Sequence, residues 1–243
     1  MINNVLVGKS VVVTRPASQS NTLVDLLRQR GALPLQMPLI EICAPSDDGE
    51  GLRRALGELD SFDWVVVTSA NGAAAVVGEL HKRAQRPRIA AIGKDTNLAL
   101  GEIADLIPSS ARGDVLAAEF PLGSGRVLLA QAEVTDGIIG STLQSRGWNV
   151  TAVAAYQTRS LRPEPEVLSR ALVADALVLA SGSAARSWVD CAGAHTPPIV
   201  VAIGPPTAAV ANVVGIRVSA VTVEPTPTCV LDTLADLFSH HHQ

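Results

Sequence analysis

Short apolar runs recur along the chain, and amphipathic segments separate them. Two of these runs end in a small, polar, glycine-bearing corner, in VVVTSANGAAAVV from Val65 and in LVLASGSAARSWV from Leu177. Runs that are apolar at every position are typical of strands covered on both faces, as in the parallel sheets of α/β proteins. The pattern therefore predicts an α/β fold in which buried strands alternate with helices.

The second half of the chain repeats the first. Three segments of the first half are echoed in the second, with the aligned positions Gly31 and Gly147, Ser69 and Ser181, and Gly93 and Gly204. The offsets at these positions are 116, 112 and 111 residues. A nearly constant offset over three separate segments indicates an internal duplication of a unit about half as long as the chain, far longer than a solenoid repeat.

Each half has its own set of predicted strands. They lie near residues 11–14, 33–37, 64–68, 89–92 and 105–107 in the first half, and near residues 127–130, 149–153, 176–180, 199–203 and 217–220 in the second. Helices fit between them, and Gly31 has the place of a residue that ends a helix. We therefore expect two doubly wound parallel-sheet domains.

Four polar corners, TSANG, ASGSA, IGKDT and IGPPT, fall at predicted strand-to-helix turns. Ligands of doubly wound sheets bind outside the carboxyl ends of the strands, where helix starts offer free N–H groups to a carboxylate or phosphate. Serine, threonine and asparagine also cap helices in proteins of every function, so a purely structural role for each corner stays open. Four repeat-related corners favour a ligand cleft shared by the two domains.

Composition narrows the function. The chain has 243 residues, 47% hydrophobic and 17% charged, and its formal net charge of -4 comes without a basic block. A nucleic-acid interface, which needs a broad positive face, is therefore not expected. The three cysteines have neither metal-ligand nor disulfide spacing, which indicates a reducing compartment. Without a signal-peptide pattern or an apolar run of about 18 residues, we expect a cytoplasmic protein and no membrane partner.

Several cofactor and catalytic motifs are missing from the sequence. No G-x-G-x-x-G follows a strand, GKDT lacks the ending of a Walker loop, and no G-x-S-x-G nucleophile elbow is present. His81 and His195 stand alone in polar segments, as surface histidines do. We therefore expect no nucleotide cofactor, no metal and no nucleophile with a partnered base.

Seven motifs in a fixed order resemble the uroporphyrinogen-III synthase family. They are VVVTRPASQSNTLVDLLRQRGALPLQMPLIEI, FDWVVVTSANG, AAIGKDT, VAAYQT, LVLASGSA, VAIGPPTA and VEPTPT, and they span almost the whole chain. Each motif is weak alone, so the ordered set carries the resemblance. It implies a discontinuous arrangement, with residues 1–37 and 160–243 in one domain, residues 40–155 in the other, and a linker of two extended crossings at residues 38–44 and 154–160.

The resemblance also implies a reaction without cofactor or metal. Family members close the linear tetrapyrrole hydroxymethylbilane, which loses its hydroxyl as water, and they invert its last ring through a spiro intermediate to give uroporphyrinogen III. Each pyrrole carries two carboxylates, so helix starts and hydroxyls suit the substrate without a basic surface. The main task is to fix which carbon attacks, which is catalysis by orientation and requires no triad. We expect a monomer that binds this small molecule.

Positions that match the family motifs supply the candidate residues. Tyr156, the only tyrosine in the chain, matches a tyrosine of the second crossing, and its phenol could help the hydroxyl to leave. The structural alternative is a boundary tyrosine with an apolar ring and a wet tip. The substrate-binding candidates are Arg15, Ser69, Ala70, Asn71, Thr96, Ser181, Gly182, Ser183 and Thr226.

One stretch departs from the family pattern. Where bacterial members commonly have PRGE and a later arginine, this chain has AQAEVTD from Ala130. Two expected positive charges are absent, while Glu133 and Asp136 remain, so substrate affinity is lower if those arginines face the substrate. A non-catalytic two-lobed module for a small anion and an inactive synthase-like domain are therefore the alternatives.

Overall fold

The computed structural model describes residues 5–240, apart from the side chains of residues 17–19. In chain order the strands are β1 (Ser10–Val13), β2 (Leu33–Gln36), β3 (Ile40–Cys43), β4 (Trp64–Val67), β5 (Arg88–Ala91), β6 (Arg126–Ala132), β7 (Asn149–Ser160), β8 (Ala176–Leu179), β9 (Ile199–Ala202) and β10 (Ala220–Val221). The helices are α1 (Ala17–Gln29), α2 (Glu50–Gly57), α3 (Ala70–His81), α4 (Lys94–Ala99), α5 (Gly113–Glu119), α6 (Ile138–Ser145), α7 (Pro165–Leu172), α8 (Gly182–Ala192), α9 (Pro205–Val213) and α10 (Pro227–His240). A short 3₁₀ turn, Leu59–Ser61, precedes β4.

The chain divides into two compact units. One unit runs up to Glu41 and resumes at Arg159, and the other is Ile42–Thr158. Both boundaries fall inside strands, in β3 and in β7. The segments predicted as crossings, residues 38–44 and 154–160, contain these boundaries. We call the first the split unit and the second the continuous unit.

The split unit contains a five-stranded sheet in the order β10-β9-β8-β1-β2. All four neighbouring pairs are parallel, and Val12 of β1 lies opposite Leu177 of β8. Successive residues of β1 point to opposite faces of the sheet, and helices cover both faces. Val11 and Val13 belong to one buried cluster, and Val12 belongs to another together with Trp188 of α8. This two-sided burial explains why the strand is apolar at every position.

The continuous unit contains a second sheet in the order β3-β7-β6-β4-β5. The pairs β4–β5, β4–β6 and β6–β7 are parallel. Its central strand β4 is again buried on both faces: Val65 and Val67 pack in one cluster, and Trp64 and Val66 pack in the other. The ring of Phe120 lies 4.8 Å from that of Trp64, centroid to centroid, and seals the second face.

The two sheets have equivalent strand orders. The repeat seen in the sequence relates β1 to β6, β8 to β4 and β9 to β5, so β2-β1-β8-β9 of the split unit corresponds to β7-β6-β4-β5 of the continuous unit. The topological switch point lies between β1 and β8 in the split unit and between the corresponding strands β6 and β4 in the continuous unit. Such switch points are where doubly wound sheets bind ligands.

Two predicted strands are shorter than expected. The strand near residues 105–107 is reduced to one parallel bridge between Ala90 and Leu106. The carboxylate of Asp105 accepts the N–H of Ile89 at 2.7 Å, and Pro108, directly after Ile107, has no N–H. A regular ladder therefore lacks donors at both ends of this segment. The strand predicted near residues 217–220 is the two-residue β10.

Candidate functional site

Ser69 begins the corner that follows β4 in the continuous unit. Its backbone is extended, and its Oγ accepts the N–H of Gly72 at 3.0 Å, so Ser69 is the N-cap of α3. Ala70 is exposed and Asn71 half-buried in the first turn of that helix. The corner thus has the capping geometry that the sequence left open, and it also presents a helix start at the carboxyl end of a central strand.

Thr96 lies at the next corner of the same sheet, after β5. Gly93 precedes α4 in an extended conformation, and Thr96, the third residue of that short helix, is only 3% exposed. Its repeat counterpart is Thr207, which lies 111 residues later, follows Gly204 in the same way and is 6% exposed. Thr207 is missing from the residues predicted for the site, although the duplication points directly to it.

The corner after β8 in the split unit repeats the arrangement at Ser69. Ser181 caps α8, because its Oγ accepts the N–H of Ala184 at 3.0 Å. Gly182 and Ser183 are half-buried in the first turn. A Cβ on Gly182 would lie 2.8 Å from a methyl group of Val210 on α9, so the missing side chain lets the two helices approach.

Arg15 and Thr226 meet at the same edge of the split unit. The guanidinium of Arg15 donates to the carbonyl of Pro225 at 3.4 Å, and Thr226 caps α10 by accepting the N–H of Cys229 at 3.2 Å. Thr14, which is fully buried, holds the switch point together: its hydroxyl donates to Val178 at 2.8 Å and accepts the N–H of Ala180 at 3.1 Å. A cavity of about 10 Å³ lies here, too small for more than a water-sized group.

Tyr156 lies near the end of the continuous unit's sheet, on β7. The β6–β7 register shifts between Gln131 and Ala132, and Ala132 pairs with Tyr156 beyond that irregularity. The half-buried side chain of Tyr156 packs against the cluster that contains Ala155. Within the part of the chain that the structure describes, its phenolic oxygen makes no hydrogen bond, so the hydroxyl is available to a ligand.

Both acidic residues of the divergent stretch are engaged. The carboxylate of Glu133 accepts the N–H of Ser46 at 3.2 Å and also the hydroxyl of Ser46 at a shorter distance. Asp136 accepts the N–H of Ile138 at 3.1 Å, at the start of α6. Their negative charges are therefore directed at groups of the protein itself, which reduces the repulsion that an anionic ligand would meet.

The residues that the structure describes hold no cluster of three or more metal-ligating side chains, and none of their helices is long and apolar enough to cross a membrane. The three cysteines are free and half-buried. His195 is exposed, whereas the ring of His81 reaches the carbonyl of Leu100 at 3.0 Å and links α3 to the end of α4. His81 is thus a structural residue, and it is less isolated than its sequence context suggests.

The structure distributes the predicted site residues over two sheet edges. Ser69, Ala70, Asn71 and Thr96 lie at the carboxyl edge of the continuous unit's sheet, at corners after the adjacent strands β4 and β5, and Tyr156 lies on β7 of that sheet. The carboxyl edge of the split unit carries the other five, Arg15, Ser181, Gly182, Ser183 and Thr226.

Comparison with known proteins gives one consistent family. A family model described as uroporphyrinogen-III synthase HemD matches residues 21–231. The chain is 31% identical over 224 residues to the chloroplastic uroporphyrinogen-III synthase of Oryza sativa, which covers 85% of this chain and 73% of the rice protein. It is 34% identical over 171 residues to the uroporphyrinogen-III synthase of Synechococcus elongatus, 65% of this chain and 64% of that protein.

Solved structures agree on the fold. A variant of the Thermus thermophilus uroporphyrinogen III synthase superposes with a TM-score of 0.68 at 18% identity, covering 95% of this chain and 99% of that one. The Helicobacter pylori uroporphyrinogen-III synthetase gives a TM-score of 0.57 at 15% identity, covering 95% and 99%. These likenesses confirm the predicted α/β fold with two sheets in which parallel pairing dominates. Because the family model matches most of the chain and the rice relative is similar over most of both lengths, the chain belongs to the uroporphyrinogen-III synthase family.

Proposed function

We propose that the protein is a uroporphyrinogen-III synthase, which cyclises hydroxymethylbilane with loss of water and inversion of the last pyrrole ring. Membership of the family supports this function, and so does one feature of the structure. Repeat-related helix starts, two of them capped by serine, lie at the carboxyl edges of both sheets. This arrangement suits a ligand with many carboxylates, because a helix start offers backbone N–H groups and a positive dipole end. The start of α9 offers fewer of these donors, since Pro205 and Pro206 have no N–H.

Capping and binding are compatible at Ser69 and Ser181. A serine hydroxyl has one proton to donate and lone pairs to accept with. In both caps the oxygen accepts a backbone N–H, which leaves its proton free to donate to a substrate carboxylate. The capped serine is also held in one place, so it loses little conformational entropy when the substrate binds.

Thr96 and Thr207 belong to the same binding scheme. Both occupy the third position after an extended glycine at equivalent corners of the two sheets. Their burial means that they support the shape of these corners, while the exposed backbone at Lys94 and Asp95 can approach the substrate at the first corner. We add Thr207 to the residues predicted for the site on this ground.

Orientation is the main source of catalysis in this scheme. The cation formed by loss of the hydroxyl is already reactive, and the bound carboxylates fix which carbon of the last ring attacks it. Tyr156 donates a hydrogen bond or a proton to the departing hydroxyl, and its phenol suits this role because it has no hydrogen-bond partner among residues 5–240. No metal or organic cofactor takes part in these steps.

The experiment is turnover of freshly made hydroxymethylbilane by the isolated protein, followed by identification of the macrocycle. Uroporphyrinogen III is the expected product. A binding module or an inactive synthase-like domain would leave the substrate to close on its own to the uninverted type I isomer.

The expected setting of the reaction is a monomer in the cytoplasm. Monomeric mass in size-exclusion chromatography with light scattering checks the first point. Localisation of a tagged full-length protein checks the second, for which the chloroplastic rice relative is the obvious competing outcome.

A further inference from the structure

Glu133 lies beside Tyr156 where β6 ends. The N–H of Glu133 donates to the carbonyl of Tyr156 at 2.9 Å, directly after the irregularity in the β6–β7 ladder. A shifted register re-aims the side chains that follow it. The place of the Tyr156 ring therefore depends on how the end of β6 is held.

The side chain of Glu133 holds the segment that follows β3. Its Oε1 accepts both the N–H and the hydroxyl of Ser46, which is 87 residues away in the chain. On the other side of Tyr156, the amide of Gln157 donates to the carbonyl of Ala44 at 2.7 Å. The segment at residues 44–46 is thus hydrogen-bonded to Glu133, which directly follows β6, and to Gln157, the neighbour of Tyr156 on β7.

We propose that Glu133 is a positioning residue for Tyr156. Its side chain binds Ser46 and its N–H binds the carbonyl of Tyr156, so it fixes the backbone of β7 at the point from which the phenol reaches the substrate. The catalytic consequence rests on the proposed function, but the positioning itself does not. An acid at this place is otherwise unfavourable in a protein that binds a polycarboxylate, because like charges repel. Two hydrogen bonds from Ser46 partly offset that charge, and this is the reason for an acid here.

The chain offers a matched control at Glu119. Its carboxylate accepts the N–H of Ser109 at 2.9 Å and the hydroxyl of the same serine, the pattern seen at Glu133. Glu119 is the last residue of α5, and within the described residues its carboxylate makes no hydrogen bond or ion pair with β7. Replacing it removes an equivalent pair of exposed hydrogen bonds without touching the surroundings of Tyr156.

The direct test uses the fact that Tyr156 is the only tyrosine. Protein grown with 3-fluorotyrosine gives one ¹⁹F resonance, which needs no assignment. We expect Glu133→Ala to shift or broaden this resonance, Glu133→Gln to restore most of its position because it keeps an oxygen acceptor, and Glu119→Ala to leave it in place. An unmoved resonance in Glu133→Ala, or an equal change in Glu119→Ala, overturns the proposal.

Kinetics with hydroxymethylbilane give the second readout. Loss of a net hydrogen bond corresponds to a fall in kcat of about threefold to tenfold in Glu133→Ala, with KM little changed. Combined with Tyr156→Phe, the substitution should cause no further loss. If Tyr156→Phe keeps full turnover while the resonance still moves in Glu133→Ala, the positioning stands and the catalytic role of Tyr156 fails. If Glu133→Ala lowers kcat by the same factor in the Tyr156→Phe background as in the wild-type background, the proposal is overturned.

Discussion

Replacing Gly182 with alanine separates helix packing from ligand approach as the reason for a glycine at the start of α8. An added Cβ would lie 2.8 Å from Cγ2 of Val210 and 3.1 Å from its Cβ. Because the Cβ of Val210 is itself too close, rotating the valine side chain does not relieve the clash, and α8 and α9 must move apart. Overpacking of this kind typically costs about 1–3 kcal/mol, and because Gly182 is the first residue of α8, alanine returns less than the roughly 0.5–1 kcal/mol that it gains in the middle of a helix.

The expected result is a net loss of about 1 to 2 kcal/mol in the free energy of unfolding. Denaturant unfolding followed by tryptophan fluorescence measures it, and Trp188 on α8 reports from the affected helix. A Val210→Ala background removes the 2.8 Å contact with Cγ2 but keeps the 3.1 Å contact with Cβ, so the same glycine substitution should cost less there but still destabilise, which a double-mutant cycle shows. Gly78 of α3 is the control, because a Cβ there meets nothing within 4 Å and alanine should stabilise.

A different pattern would refute the packing argument. If Gly182→Ala unfolds at the same denaturant concentration as the wild type while its affinity for uroporphyrinogen III falls, the glycine serves the approach of the ligand. The close contact with Val210 would then be relieved at no energetic cost, contrary to the argument above.

Three further predictions concern caps, pH and the phenol. Ser69→Ala and Ser181→Ala should each lower stability by about 0.5–2 kcal/mol in thermal unfolding and also weaken product binding; unchanged affinity would reduce them to caps. Desolvation opposes ionisation of Asp175, but hydrogen bonds from the hydroxyl and N–H of Ser10 outweigh it and lower the pKa of the carboxyl. Its stabilising effect is therefore present above the ordinary carboxyl pKa and lost as pH falls, so Asp175→Asn should be less stable than the wild type near pH 7 and similar to it in acid; a gap that widens in acid contradicts this. Tyr156→Phe should keep the stability of the wild type and form type III product more slowly, by a factor of up to about 10². Full activity would remove the phenol from the mechanism.

The sheets could be predicted because burial on both faces leaves a clear mark in the sequence. Strands such as β4 and β8 are apolar at every position, and the duplication adds a second, independent indication of the same units. The prediction of a full strand near residues 105–107 was wrong, because only one bridge forms there. Apolar residues alone do not show that the side chain of Asp105 accepts the N–H of Ile89, which a longer ladder would use. Local composition indicates burial, whereas strand length depends on which donors remain free.

The site was only partly predictable for a related reason. The caps at Ser69 and Ser181 follow from short-range rules, since donor and acceptor are three residues apart. The bonds between Glu133 and Ser46 join residues 87 positions apart, and no periodic pattern reveals them. Thr207 is the exception, because comparing the two halves position by position would have found it.

The fraction of type III isomer formed from hydroxymethylbilane tests the central claim most directly. The substrate should be added to the protein in the presence of a chelator, and the macrocycles separated by chromatography beside a protein-free sample. We predict mostly type III with protein and type I without it, because the bound carboxylates decide which carbon closes the ring. Type I alone, formed at the protein-free rate, would contradict the account.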